Sequence, residues 1–246
     1  MPANEVIRVP GTYNLRDVGG YPARDGVVRS GVLLRSDGLG RLDDAGRDAL
    51  RSLAVHTIID LRDGFETSSM PDAIDGLDVD TISLPVFEGS GASHTENTIT
   101  LEALYERIVT RHAPVVIEAI RTIARHRDGA VLVHCTAGKD RTGVIVALAL
   151  LAVGVDRDLV IEDYAATEAN LAGEWLEGMI AMIGKYGMAD TPELRTLMGG
   201  SPAAALESTI DLIERDHGSV QQYLLASGLT LDELADLESV LVERSR

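Results

Sequence analysis

Residues 130–143 run AVLVHCTAGKDRTG. The first four side chains are apolar and a histidine closes the run, a pattern that predicts a central strand covered on both faces. From Thr142 to Val153 nearly every side chain is apolar, which predicts a buried helix ended by Gly154. Between the two lies a short loop that starts at Cys135 and holds Gly138, with five residues separating Cys135 from Arg141. A strand that turns through such a loop into a helix suits an anion. Backbone N–H groups converge on one point, and the helix N-terminus adds positive potential there.

Outward from this stretch, apolar runs at 31–34, 55–61 and 79–84 predict further strands. Helical patterns at 43–53, across 101–126 with a break near Pro114, and at 156–170 alternate with them. Beyond residue 172 only helical patterns follow, around 175–186, 202–217, 219–226 and 231–244. This order predicts an α/β fold: a central, mainly parallel sheet of four to five strands flanked by helices, with a helical C-terminal part. Gly and Pro are spread evenly and there is no repeat. The 246 residues are therefore expected to form a single domain, with an α/β core over 1–170, its loop at 134–142, and the helical part of the same domain over 171–246.

Composition narrows the function. A formal charge of −17 opposes nucleic acid and anionic membranes at long range, so neither a nucleic-acid partner nor stable membrane insertion is expected. A single cysteine excludes an intramolecular disulfide and a zinc ribbon, and the six histidines show no close ligand pairing. The N-terminus has no apolar signal core, and the longest apolar run, 144–153, is too short to span a bilayer. The expectation is a cytoplasmic protein, although a non-classical export route leaves no mark in a sequence.

The loop carries the chemistry. Thr136, Ala137, Gly138, Lys139, Asp140 and Arg141 are the expected phosphate-binding residues: backbone amides, a glycine free to adopt the torsions of a tight cradle, and a planar guanidinium that matches two phosphate oxygens. A thiol at a helix N-terminus beside Lys and Arg loses its proton readily, and a thiolate under a bound phosphate is set for in-line attack on phosphorus. Most lone cysteines are small buried hydrophobes, but that reading leaves the glycine, the arginine and the strand–loop–helix setting to coincidence. A nucleotide P-loop fails because Asp140, not Ser or Thr, follows Lys139, and Val133 stands where the first Gly belongs.

HCTAGKDRTG resembles the H-C-x5-R-[ST] signature of the protein tyrosine phosphatase superfamily, and more narrowly its bacterial tyrosine/phosphoinositide phosphatase branch. NLRDVGGY (14–21), LLRSDGLGRLDDAGRDAL (33–50), IIDLRDGFE (58–66), the Asp163–Tyr164 pair and HGSVQQYLLASGL (217–229) are similar to that branch in the same order. The resemblance implies a cysteine-dependent phosphomonoester hydrolase that acts through a phosphocysteine, without metal or cofactor, on phosphorylated protein, with phosphoinositides as a further substrate class. It implies Cys135 as nucleophile, Arg141 as phosphate and transition-state ligand, Thr142 as hydrogen-bond donor to the sulfur, and His134 as a residue orienting the loop from behind. Lysines in this loop accompany phosphoinositide activity in the superfamily; Lys139 otherwise deepens the positive field.

A poor leaving group needs a proton donor. Glu88, after the third predicted strand, and Asp140, inside the cradle, are the candidates, with Asp37 as a third. The segment 89–98, GSGASHTENT, reads as a mobile loop that serves as hinge or lid if Glu88 is the acid. Asn14, Arg16 and Asp17 read as locks on the loop; Arg35, Asp37, Asp60, Arg62 and Glu66 as an ion-pair framework beneath the site; Tyr164 and Asn170 as packing or capping residues. Trp175, Met179, Met182, Met188 and Met198 read first as core filling, and second as a soft lid. A phosphate-recognition module without turnover needs a defective nucleophile or arginine. A sulfurtransferase gives no reason for Arg141 with Thr142, and an arsenate reductase needs a second cysteine.

Overall fold

The run 130–134 is the middle strand of a five-stranded sheet in a computed structural model that describes residues 4–87, 100–185 and 187–244. The strands are β1 (Arg16–Asp17), β2 (Pro22–Ala23), β3 (Gly26–Val28), β4 (Leu33–Ser36), β5 (Val55–Asp60), β6 (Asp80–Ser83), β7 (Ala130–His134) and β8 (Val242–Arg244). The main sheet has the order β1-β4-β7-β5-β6. Leu34 and Ile58 stand on either side of Leu132 in parallel register, and β5 pairs in parallel with β6; only the two-residue edge strand β1 is antiparallel.

Alternation along β7 explains why every residue of it is buried. Val131 and Val133 face one apolar cluster, whereas Ala130 and Leu132 face another. The helices are α1 (Asp44–Ser52), α2 (Gly64–Ser69), α3 (Leu101–Thr110), α4 (Ala113–Arg125), α5 (Asp140–Ala152), α6 (Arg157–Leu171), α7 (Glu174–Gly184), α8 (Pro192–Gly199), α9 (Ala203–His217), α10 (Val220–Ala226) and α11 (Leu231–Leu241). The larger cluster joins the Val131 face to α5, α3, α4 and the C-terminal helices through Ile145, Ile108, Ile120, Ile210 and Leu237. The smaller cluster sets Leu50 of α1 with Val9 and Leu15 against the Leu132 face. Helix α5 is apolar all round because it lies between the sheet and these helices.

The fold class is α/β as expected, with a mainly parallel sheet and a helical C-terminal part. The 101–126 helix does break near Pro114, which sits in the first turn of α4, where a missing N–H costs nothing. Two boundaries differ. The 231–244 helix stops at Leu241, because Val242 to Arg244 pair as β8 with β3 in a second sheet of order β2-β3-β8. The 175–186 helix spans Glu174–Gly184, and α8, capped by Thr191 with Pro192 following it, was not expected. Among the described residues no helix is long and apolar enough to cross a membrane.

Candidate active site

The carboxyl ends of β4, β5 and β7 converge, the place where parallel α/β sheets bind ligands. Cys135 follows β7 directly and is 1% exposed. The loop carbonyls after it all turn outward to donors in the surrounding structure. The backbone N–H of Gly38 donates to Thr136 O at 3.0 Å. Asn14 Nδ2 donates to Ala137 O (3.1 Å) and Gly138 O (3.2 Å), and Arg35 Nη2 donates to Gly138 O at 2.8 Å. In a peptide unit N–H points opposite to C=O, so the amide hydrogens of Ala137, Gly138 and Lys139 turn inward. Among the described residues none of them has an acceptor. Gly138 makes the turn at φ +65°, and a Cβ there would stand 2.3 Å from Ser36 O.

The outer frame is buried and charged. Arg16 and Arg35 share Asp163, and Arg16 also bonds Asn14 Oδ1, Asp163 O and Thr167 Oγ1. Asn14 and Arg16 therefore lock the loop as expected, and Asn170 adds a bond to Asn14 Oδ1 at 3.1 Å. Asp17 instead receives the amides of Gly19 and Gly31, so it fixes its own turn. Beneath the loop, His134 Nδ1 lies 3.3 Å from Cys135 O and Nε2 lies 3.3 Å from Asp72 Oδ2. Asp60, Asp72 and His134 group ligand-type atoms within 4.8 Å of one another. The guanidinium of Arg62 stands among them, with Nη2 at 2.8 Å from a carboxylate oxygen of both Asp60 and Asp72. Burial pushes the Asp72 carboxyl up, but His134 and Arg62 outweigh it and hold it below the usual range.

Arg141, in the first turn of α5, is gripped end-on by Glu66 of α2. Nη1 donates to Oε2 at 2.6 Å, Nη2 to Oε1 at 2.7 Å, and Nη1 also donates to Leu61 O at 3.3 Å. A guanidinium has five N–H donors. These bonds use three and leave Nε–H and the second Nη2–H, which are adjacent on one edge and match two phosphate oxygens. Burial raises the Glu66 carboxyl, but the bonds and charge of Arg141 prevail and bring it down to about 2. Glu66 is itself fixed by a hydrogen bond from Thr136 and by the capping box it forms with Asp63 at the start of α2. Of the charge pairing read from the sequence, Asp60 with Arg62 holds; Glu66 takes Arg141 instead, Arg35 takes Asp163, and Asp37 accepts backbone amides rather than a cation.

The remaining expected residues fall as follows. Asp140 is 22% exposed in its side chain, and its Oδ1 accepts a hydrogen bond of 2.6 Å from Tyr105. Lys139 contributes its backbone to the cradle, whereas its buried ammonium donates to Leu197 O of α8 at 2.7 Å and lies 3.5 Å from Asp140. Thr142 Oγ1 is buried and has no hydrogen-bond partner among the described residues. Asp37 Oδ1 accepts the amides of Tyr13 (3.0 Å) and Asn14 (2.9 Å), and burial raises its carboxyl. Glu88 and the 89–98 segment lie outside the described residues. Trp175 and Met179 pack on Ala137 as core, while Met182 and Met188 are exposed. Phe87 places its ring 6.0 Å from the Arg141 guanidinium. Sequence reasoning missed the Arg141 grip of Glu66 and the contact of Tyr105. The D-x-x-E capping pattern at 63–66 was the available signal for the first; the second has none, since Tyr105 reads as one more apolar helix position.

A thiol, a ring of inward amides and a guanidinium at the carboxyl end of a parallel sheet define the class: an α/β phosphatase with cysteine and arginine in one loop. The chain belongs to the Tyrosine phosphatase family, whose pattern it matches over residues 7–243, and it is a hydrolase of that family. It is 30% identical to the triple specificity protein phosphatase PtpB of Mycobacterium tuberculosis over 96% of this chain and 99% of the relative. It is 31% identical to a tyrosine-protein phosphatase of Nostoc commune over 86% of this chain and 74% of the relative. Among solved structures, P. aeruginosa TpbA in complex with pTyr is similar at a TM-score of 0.42 and 20% identity, over 74% of this chain and 97% of that one.

Proposed function

We propose that Cys135 is the nucleophile of a two-step phosphomonoester hydrolysis that favours phosphotyrosine-type aryl esters. The Cys135 thiolate attacks phosphorus and the ester P–O bond breaks. The leaving oxygen takes a proton from the Asp140 carboxyl, and a phosphocysteine forms. Water then attacks phosphorus and gives its proton to Asp140; the P–S bond breaks and inorganic phosphate leaves. The inward amides of 137–139 and the open edge of Arg141 receive the equatorial oxygens throughout, as preorganised donors. The observation that carries this reading is the loop after Cys135 with its carbonyls turned to outside donors, beside a thiol that interacts electrostatically with the Arg141 guanidinium.

Asp140 suits the proton step because one carboxyl oxygen is anchored and the side chain reaches solvent, whereas Asp37 is buried and engaged with backbone amides. Preference for aryl esters rests on the chain's two phenylalanines, which both stand by the site. Phe87 lies over Arg141, and Phe65, beside Glu66, is 68% exposed. Phosphoinositides fit less well, since the Lys139 ammonium is engaged by Leu197 and the charge of −17 opposes an anionic lipid surface. The test is turnover of para-nitrophenyl phosphate, a phosphotyrosine peptide and a short-chain phosphoinositide in EDTA by the wild type and Cys135→Ser. Expected are full wild-type activity in EDTA, peptide ahead of lipid in kcat/KM by at least about tenfold, and no turnover by Cys135→Ser despite retained phosphate binding. Turnover by the serine variant refutes the nucleophile; lipid ahead of peptide refutes the preference.

A further inference from the structure

We infer that Tyr105, on α3, is a positioning residue for the proton transfer. It holds Asp140 Oδ1 so that the mobile proton resides on Oδ2, and Tyr164, on α6, fixes the direction of that hold. The inference rests on the reading of Asp140 as the proton donor, and adds two residues that no motif of the loop contains.

The geometry is a chain of three groups from three helices. Tyr164 Oη lies 2.7 Å from Tyr105 Oη, which lies 2.6 Å from Asp140 Oδ1. Both tyrosines are buried, with rings edge to face at 6.1 Å between centroids. The bodies of these rings belong to the apolar core beside Leu104, Ile108 and Val144, a setting that phenylalanine would also fill. The hydroxyls therefore answer to each other and to the carboxylate. An ionised carboxylate only accepts, so Tyr105 donates its single hydrogen to Oδ1, and the hydrogen between the two phenols comes from Tyr164. With Oδ1 occupied as an acceptor, a proton on Asp140 is directed to Oδ2, which has no partner among the described residues.

The charged and titratable groups that face this carboxyl are Lys139, with Nζ at 3.5 Å, Arg141 next in the chain, Cys135 at the loop floor, and Arg35 beyond Tyr164. Lys139 is held off by Leu197 O. Burial and the neighbouring Asp140 raise the Tyr105 phenol well above its ordinary value, so it remains a donor through the working pH range. Loss of a donor to the charged form favours the neutral acid. Removing the Tyr105 hydroxyl therefore takes away the hydrogen bond that fixes Asp140 Oδ1 and loosens the placement of its proton.

The experiment compares Tyr105→Phe, Tyr164→Phe, Asp140→Asn and the Tyr105→Phe/Asp140→Asn double variant on phenyl phosphate, a poor leaving group, and para-nitrophenyl phosphate, a good one. For Tyr105→Phe the expected result is a kcat loss of about tenfold on phenyl phosphate, with KM within about twofold, and little loss on the nitrophenyl ester. The basic limb of its kcat–pH profile moves to higher pH. Tyr164→Phe moves the same limb by less, and keeps the question open to measurement if Tyr105→Phe does not fold. In the Asp140→Asn background, Tyr105→Phe adds no further loss. Equal losses on both esters with an unmoved limb overturn the inference, as does a Tyr105→Phe loss that persists in full without the carboxyl. If Asp140→Asn is selective for the poor leaving group and the tyrosine variants are not, the relay alone fails. If Asp140→Asn is itself unselective, the reading of Asp140 fails and the relay with it.

Discussion

Two side chains from distant parts of the chain settle the shape of the anion site. In the proposed mechanism Arg141 needs a partner that fixes its plane without covering the edge offered to phosphate, and the end-on grip of Glu66 leaves that edge open. Glu66→Gln keeps the shape and removes the charge. It is expected to lower kcat/KM on aryl phosphates by about 10- to 100-fold, mostly through slack in the guanidinium. The same carboxyl links stability to pH. Held at about 2 in the fold against an ordinary value of 4.5, it stabilises the fold fully above about pH 4.5, and that contribution is lost as pH falls through about 2. With a side chain 17% exposed, the contribution is on the order of 2 kcal/mol after allowance for screening. Urea unfolding at pH 7 and pH 3 checks this: the gap between wild type and Glu66→Gln narrows at the lower pH. A gap that stays constant contradicts the linkage.

At the scale of elements, the loop between β7 and α5 works because its neighbours take every outward carbonyl. Gly138 is the tightest point, left-handed and against Ser36 O. Gly138→Ala is expected to cost about 3 kcal/mol or more from torsional strain and the clash with β4. Thermal unfolding reads the loss, and inhibition by inorganic phosphate reads the damage to the cradle. An unchanged Tm with unchanged inhibition contradicts this account of the turn. The four longer strands and the loop were legible in the sequence, because β-branched runs and a fixed spacing carry period and chemistry together. Strands of two or three residues, β1, β2, β3 and β8, carry no period and went unread. Helix α2 went unread as well; at Gly64–Ser69 it is too short for an apolar stripe, although the Asp63–Glu66 capping pair marks it in hindsight. The loop residues were legible one by one. Their partners were not, since Glu66 and Tyr105 stand 75 and 35 residues from the groups they hold.

Across the whole molecule, two apolar clusters press on opposite faces of β7, and buried polar groups gather at its carboxyl end. Arg16, Arg35, Asp163 and Asn14 brace that end from the α6 side, and Arg62, Asp60, Asp72 and His134 brace it from the β5 side. The cations of the site are each paired with a carboxylate, in a chain of charge −17. The site therefore relies on short-range amide and guanidinium donors more than on long-range attraction. Those donors matter only if a phosphoryl group sits on the sulfur between them during turnover. Acid quench of the wild type within the first turnover of a 32P-labelled aryl phosphate, followed by peptide mapping, measures that directly. The account predicts label on the peptide that holds Cys135, stable to alkali and hydroxylamine and released by iodine as a P–S bond is, approaching one phosphoryl group per chain when dephosphorylation is slowed. Turnover without trapped label under those conditions, or label on any other residue, contradicts it.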